Sequence, residues 1–305
     1  MNRESPLIEK IQELKRARNA IILSHNYQLG EIQDIADFVG DSLELSQSAA
    51  RTHADVIVFC GVHFMAETAS ILCPDKTVLL PDIHAGCPMA DMVTAEALRR
   101  RKQELPGATV VTYINSSAEV KAESDYCCTS ANAVKVIQSL DSTEQILFVP
   151  DQYLGAYIES RTGRKMVLWP GYCPTHLRIL PQHIERLRQE YPQARVMVHP
   201  ECRPEVAALA NVVLSTGGMC RYARESEAQE IIVGTEMGLI HRLRKENPGK
   251  RFIPVSEQAI CPRMKLITLE KVLWSLEEMS PLVKVPEETR LKAKRAVDRM
   301  LAIGR

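Results

Sequence analysis

Three cysteines in this chain are each followed directly by proline: Cys87 in PDIHAGCPMADM, Cys173 in WPGYCPTH and Cys261 in EQAICPRMK. They stand 86 and 88 residues apart. A near-constant interval of that length is the size of a small domain. The chain is therefore constrained to repeat one structural block three times and to deliver one thiol from each. Proline removes a backbone N–H and fixes φ, which stiffens the loop that carries each thiol.

The rest of the sequence keeps the same period. AIILSH, DVIVFC and TVLLPD read as strands before Cys87; TVVTYIN, QILFVPD and KMVLWP before Cys173; RVMVHP, EIIVGTE and RFIPVS before Cys261. Helical stretches such as NAVKVIQSL, PQHIERLRQEYP and GLIHRLRKENPG lie between them. This alternation predicts an α/β chain with parallel sheets. The first strands end in SHNYQ, TYINS and VHPEC. That aligns His25, Tyr113 and His199, with Tyr27, Asn115 and Glu201 two residues later. A second short apolar run in each unit ends in a hydroxyl at Ser42, Ser130 or Thr216, always 17 residues after the aligned position. The cysteine follows that position by 62, 60 and 62 residues. Thr94 and Thr268 read as N-caps and Pro181 as an N1 proline of a helix just past each cysteine. The expected units are 1–93, 94–180 and 181–305, the last carrying extra C-terminal helices, packed as one body.

Composition narrows the partners. Lys+Arg and Asp+Glu are both 38 in 305 residues, so bulk charge predicts neither nucleic acid nor a membrane surface. The opening stretch MNRESPLIEKIQELKRARN is polar and helical in pattern, without the apolar core of a signal peptide, and predicts a cytoplasmic protein. In that compartment, nine cysteines point to metal binding, reactive thiols or small core residues before disulfides.

Ligands of parallel α/β units collect at the carboxyl ends of strands. His25, Tyr113, His199, Ser42, Ser130, Thr216 and the three Cys-Pro loops all fall there. Three units around an axis could aim them at one cavity, where helix N-termini favour anions without net positive charge. Singly, such a histidine is ordinarily a structural hydrogen-bonder and such a serine an N-cap. The repeated register is what raises them to site candidates. No CxxC pair exists for a zinc knuckle. Three converging thiolates could hold a [4Fe-4S] cluster with one iron lacking a protein sulfur, or a zinc ion with an open position. Cys60, Cys73, Cys127, Cys128, Cys202 and Cys220 are expected outside the metal site, with Cys127 and Cys128 at buried strand positions.

HNYQ, DIADFVGDS, GVHFMAE, CPMA, YINSSAEVKA, CTSANAV, HPEC, STGGM and GTEMGLIHRL, with the final cysteine loop, resemble the quinolinate synthase A family over nearly the whole chain. The resemblance implies three homologous αβα domains (Rossmann-like, parallel-sheet) in a pseudo-threefold arrangement around a central active site. It implies a [4Fe-4S] cluster on Cys87, Cys173 and Cys261. The implied reaction joins iminoaspartate (iminosuccinate) and dihydroxyacetone phosphate into quinolinate, phosphate and two waters. This is a non-redox transferase step of NAD biosynthesis. Substrate-binding positions carry over to His25, Ser42, Tyr113, Asn115, Ser130, His199, Glu201 and Thr216. Tyr27, Tyr113 and Glu201 are the candidates for proton transfer. Asp41 and Glu67 are read as supporting residues. The implied functional partner is an iminoaspartate-producing enzyme, L-aspartate oxidase or aspartate dehydrogenase. The alternatives are an iron–sulfur hydro-lyase acting on another hydroxy acid and a non-enzymatic iron or redox sensor.

Overall fold

The computed structural model describes residues 4–142 and 145–304. Its strands form three four-stranded sheets, each wholly parallel and each with the same order, second–first–third–fourth. The first sheet holds β1 (Ala20–His25), β2 (Phe38–Gly40), β3 (Val56–Cys60) and β4 (Thr77–Leu79). The second holds β5 (Thr109–Tyr113), β6 (Tyr126–Cys128), β7 (Ile146–Val149) and β8 (Val167–Leu168). The third holds β9 (Arg195–Val198), β10 (Val212–Val213), β11 (Glu230–Gly234) and β12 (Arg251–Pro254). The chain is thus α/β, built of three αβα units. β3 and β7 are buried along their whole length, as expected of parallel strands covered by helices on both faces.

The register carries the repeat down to single residues. Ser24, Thr112 and Val198 pair with Cys60, Val149 and Gly234 across the first and third strands of the three sheets. Cys127 and Cys128 pair with Thr112 and Tyr113 and are buried, so they are core strand positions. One side-chain lock recurs in all three units. Asp37, Asp125 and Asn211 each accept from a backbone N–H of the neighbouring first strand, that of Ile22, Val110 or Val196, at 2.7–2.8 Å. Each returns its own N–H to the same residue's carbonyl. This double bond between chain segments sets where the second strand begins.

The three units close into a ring through the helices that follow the cysteines. Helix Ala95–Glu104 contributes Leu98 to a core with Val110 and Leu147 of the second sheet. Helix Pro181–Glu190 contributes Ile184 and Leu187 to a core with Val196 of the third. Helix Leu269–Glu278 returns to the first unit, where Val272 and Leu276 join the core that holds Ile22 and Val58. Thr94 and Thr268 cap their helices and Pro181 occupies N1, as the sequence predicts. Beyond this, Val283 donates to Val78 and Leu80 to Pro281 beside β4. Helix Glu287–Ile303 then lies across the second unit, where Asn132 Nδ2 donates to Met300 O at 3.0 Å. No helix among the described residues is long and apolar enough to cross a membrane.

Candidate active site

The carboxyl ends of the strands face one cavity. His25, Tyr27, Ser42, Tyr113, Asn115, Ser130, His199, Glu201 and Thr216 all line it, together with Cys87, Cys173 and Cys261. Every residue singled out for substrate or metal therefore meets in one place, although they span most of the chain. Asp41 lines the cavity too.

Each cysteine loop is pinned in the same way. The backbone N–H of His63, Gln152 and Met237, just beyond the third strand of each sheet, donates to the carbonyl two residues before the cysteine. These acceptors are Ala85, Gly171 and Ala259, at 2.7, 2.9 and 3.0 Å. Three residues after each cysteine a short 3-10 turn begins, at Ala90, His176 and Met264. The backbone N–H of that residue bonds back to the thiol and favours its charged form. Proline at the next position stiffens the approach to the turn and contributes no competing donor. Burial nonetheless raises all three thiols, Cys87 to about 12. Part of the rise comes from one another: Cys261 raises Cys87, and Cys87 raises Cys173. Three such thiols can all ionise together only around a cation, so the donor set fits a thiolate-bound metal centre. The other six cysteines are free and buried; Cys73 donates to Ala49 O and Cys202 to Gly234 O.

The two aligned histidines share one tautomer. Nδ1 of His25 accepts from the Tyr27 N–H at 3.1 Å, and Nδ1 of His199 accepts from the Glu201 N–H at 3.3 Å. Burial lowers both to a pKa of about 3, so both rings are neutral and carry their proton on Nε2. His199 Nε2 then donates to Ser130 Oγ at 3.3 Å, which leaves the serine O–H free to donate elsewhere. The N-cap reading of the repeated hydroxyls fails at all three: helix Ala133–Gln138 has Asn132, not Ser130, at its cap position. Asp41 caps helix Ser42–Arg51 and Ser215 caps helix Thr216–Glu225, so Ser42 and Thr216 sit one position inside. Thr216 Oγ1 accepts from Asn26 Nδ2 at 2.9 Å, which keeps its own proton available. Asn115 Oδ1 is buried with no partner among the described residues, an acceptor left for something the cavity receives. The lining thus offers neutral donors suited to carboxylate or phosphate.

Glu201 lies at the centre of the polar network. Burial would raise its pKa, but His176, His199 and the hydrogen bonds from His176 and Tyr113 hold it well below the usual carboxylate range. Tyr113 donates to Oε1 at 2.6 Å, and Oε2 lies 2.8 Å from His176 Nδ1. Burial, reinforced by the charge of Glu201, raises both Tyr27 and Tyr113 well above the usual phenol value, so both keep their protons.

His176, Thr235, Glu236 and Lys265 belong to this network and were not anticipated from sequence. His176 Nδ1 is 3.2 Å from Cys173 Sγ, and Nε2 is 2.9 Å from Thr235 Oγ1. Cys173, His176 and Glu201 could themselves hold a metal ion. Glu236 accepts from the Cys261 N–H at 3.0 Å and pairs with Lys265 at 3.0 Å, and Lys265 also donates to Tyr27 O. The only sequence signals were WPGYCPTH, where His176 stands in a slot filled by Ala90 and Met264 in the other loops, and GTE at the end of a strand.

Three like α/β units aiming their strand ends and three thiols at one polar cavity define an enzyme with a metal-competent central site. The quinolinate synthetase A protein family model matches residues 9–302. A quinolinate synthase of Dehalococcoides mccartyi strain CBDB1 is 64% identical over 294 residues, covering 96% of this chain and 97% of that protein. One from Methanosarcina barkeri is 58% identical over 300 residues, covering 98% of each, and one from Geobacter sp. strain M21 is 58% identical over 302, covering 99% of each. The chain belongs to the quinolinate synthetase A family.

Proposed function

We propose that the protein condenses iminoaspartate with dihydroxyacetone phosphate to give quinolinate, phosphate and two waters, a transferase step of NAD biosynthesis carried out in the cytoplasm. The observation that carries this reading is the meeting of Cys87, Cys173 and Cys261 with the repeated His, Tyr, Ser, Thr and Glu positions in one cavity. The three thiolates would hold a [4Fe-4S] cluster, which supplies a Lewis-acidic iron without a fourth protein sulfur. The three-sulfur set is favoured over Cys173, His176 and Glu201 because His176 Nδ1 already faces Glu201 at 2.8 Å, and a metal there would have to displace that contact.

Two dicarboxylate and phosphate substrates need a cavity that accepts anions. His25 Nε2–H, Ser42, Ser130 and Thr216 provide neutral donors, and Asn115 orients a polar group by its open carbonyl. His199 directs the Ser130 hydroxyl. Glu201 accepts protons released in imine formation and tautomerisation, with Tyr113 and Tyr27 as the neighbouring donors. Burial of His25, Tyr113, His199, Glu201 and Thr216 limits the water that reaches reactive intermediates. An enzyme that makes iminoaspartate, L-aspartate oxidase or aspartate dehydrogenase, would supply the first substrate. The segments 1–93, 94–180 and 181–305 serve as the three repeats, the last also carrying the closing helices.

The test is anaerobic reconstitution with iron and sulfide, followed by addition of both substrates. Quinolinate is the expected product. A fully loaded sample that makes none overturns the reading. Dehydration of a hydroxy acid without the triose phosphate would point instead to a hydro-lyase.

A further inference from the structure

A guanidinium behind the cavity fixes the direction of a hydrogen bond inside it. Arg242 lies on helix Leu239–Glu246 of the third unit. Its Nε donates to Glu246 Oε1 at 2.6 Å. Its Nη1 donates at 2.8 Å both to the Val39 carbonyl of β2 and to Asn26 Oδ1, in the first unit. A guanidinium carries donors only and keeps its charge at any working pH. The oxygen of the Asn26 amide must therefore face Arg242. Turned over, it would set two donors against each other at a fully buried residue. Asn26 Nδ2 is left on the side of Thr216, where it donates to Oγ1 at 2.9 Å. An amide nitrogen cannot accept, so the Thr216 hydroxyl cannot spend its proton on Asn26 and keeps it for the cavity that Thr216 lines. The backbone of Asn26 is held too: its N–H donates to Gly40 O at 3.1 Å, and Gln33 Nε2 donates to its carbonyl at 3.3 Å. No histidine, tyrosine or thiol enters this series of bonds.

We propose that Arg242 and Asn26 are positioning residues: from behind the cavity they hold Thr216 as a one-way donor to an anionic oxygen, the carboxylate or phosphate of a bound substrate. The contact crosses the junction at which the third unit meets the first, so the same residues that join the two units set the polarity of the site. Ile114 and Pro200 fill the position of Asn26 in the other units, and neither side chain can donate. The device is therefore peculiar to one of the three junctions and marks Thr216 off from Ser42 and Ser130. The identity of the anion rests on the quinolinate reading; the polarity of Thr216 does not.

The experiment uses anaerobically loaded full-length protein. Calorimetry measures the binding of two probes, succinate for a dicarboxylate and inorganic phosphate for a phosphate ester, beside a melting curve for each variant. The parent should bind at least one of them. Asn26→Asp keeps the shape and leaves Arg242 a carboxylate, but it shows Thr216 only acceptors, so the hydroxyl must turn to it. Affinity for the bound anion should fall about 10- to 100-fold, as in Thr216→Val. Arg242→Met frees the amide to turn over and should cost about 3- to 10-fold, whereas Arg242→Lys keeps a donor facing Oδ1 and should stay within about threefold. In a Thr216→Val background, Asn26→Asp should cost no more than about threefold further. Mere repulsion by the added charge would persist there, and a merely structural role would lower the melting temperature and leave affinity alone. In quinolinate formation, Asn26→Asp should raise KM about tenfold or more for the substrate that carries the bound anion, dihydroxyacetone phosphate for phosphate or iminoaspartate for succinate, with the other KM within about threefold. If Asn26→Asp does not fold, Arg242→Met against Arg242→Lys carries the test. The proposal is overturned if the parent binds neither probe, if Asn26→Asp binds as the parent does, if its loss multiplies with that of Thr216→Val, or if Arg242→Lys is as impaired as Arg242→Met. A parent that binds the anion, with these losses in the variants, but makes no quinolinate sinks the functional reading alone, so the two failures are separable.

Discussion

At the residue scale, the site was legible wherever the repeat carries it. His25 and His199 are equivalent in sequence, and the fold gives them the same tautomer by the same backbone donor two residues on. Ser42 and Thr216 could be placed by spacing, but not freed from capping duty, because that depends on Asp41 and Ser215 beside them. His176, Thr235 and Glu236 break the repeat. A lone departure from a pattern has no register to support it, so their roles emerge only when the third strand of one unit meets the loop of another. Two predictions belong here. Glu201→Gln removes the anion that both Tyr113 and His176 address and should lower kcat by about 10²–10⁴ with the fold retained, measured by quinolinate formation beside a melting curve. The second concerns acid. The pKa of His25 and His199 falls from the ordinary histidine value of about 6.5 to about 3 on folding, so below about pH 6.5 the unfolded chain binds more protons than the folded one. Their contribution to stability is complete above about pH 6.5 and is lost progressively as pH falls toward about 3. Denaturant unfolding should show stability falling between pH 6.5 and 4 by up to about 1.4 kcal/mol per pH unit per histidine, and His25→Gln should reduce that slope.

At the element scale, the apolar runs of β1, β3 and β5 and the helical stretches between them could be read because buried parallel strands and amphipathic helices leave different periods. The two-residue strands β8 and β10 have too little pattern to declare their bounds, and the Asp37, Asp125 and Asn211 locks look like ordinary loop residues until their partners are seen. The cysteine loops depend on close backbone approach. A Cβ at Gly171 would sit 2.4 Å from Pro150 O, whereas at Gly86 it would meet nothing within 4 Å. Gly171→Ala should therefore push the Cys173 loop off its sheet, costing about 1–3 kcal/mol and weakening metal retention, while Gly86→Ala should unfold at the parent's midpoint. Glu67 and Lys121 tie the first unit to the second. Burial raises the carboxyl and lowers the amine, each partly offset by the other, and they bind Ala118 N and Ser116 O beside Asn115. Lys121→Met would leave the Ser116 carbonyl without its Lys121 donor, while Glu67 keeps His63 at 3.8 Å, and should destabilise by about 1–3 kcal/mol in denaturant unfolding.

At the scale of the whole molecule, the period of the cysteines announced three units, and their meeting at one cavity follows from ring closure. What sequence did not disclose is how the ring is fastened. Helix Leu269–Glu278 returns to the first unit, and Lys271 Nζ meets Asp82 at 2.5 Å just ahead of the Cys87 loop. Helix Glu287–Ile303 then covers the second unit. These contacts join parts of the chain 189 residues apart for Lys271 and Asp82 and 168 apart for Asn132 and Met300, so no local pattern records them. The central claim is that three thiols from three units hold one metal centre. The most direct measurement is iron and sulfide per chain after anaerobic reconstitution, for the parent and for Cys87→Ser, Cys173→Ser, Cys261→Ser, Cys127→Ser and His176→Ala. The account predicts about four irons in the parent and in Cys127→Ser, retention of the metal in His176→Ala, and loss in each of the other three. Full iron in Cys87→Ser or Cys261→Ser, with loss in His176→Ala, would contradict it and move the metal to Cys173, His176 and Glu201.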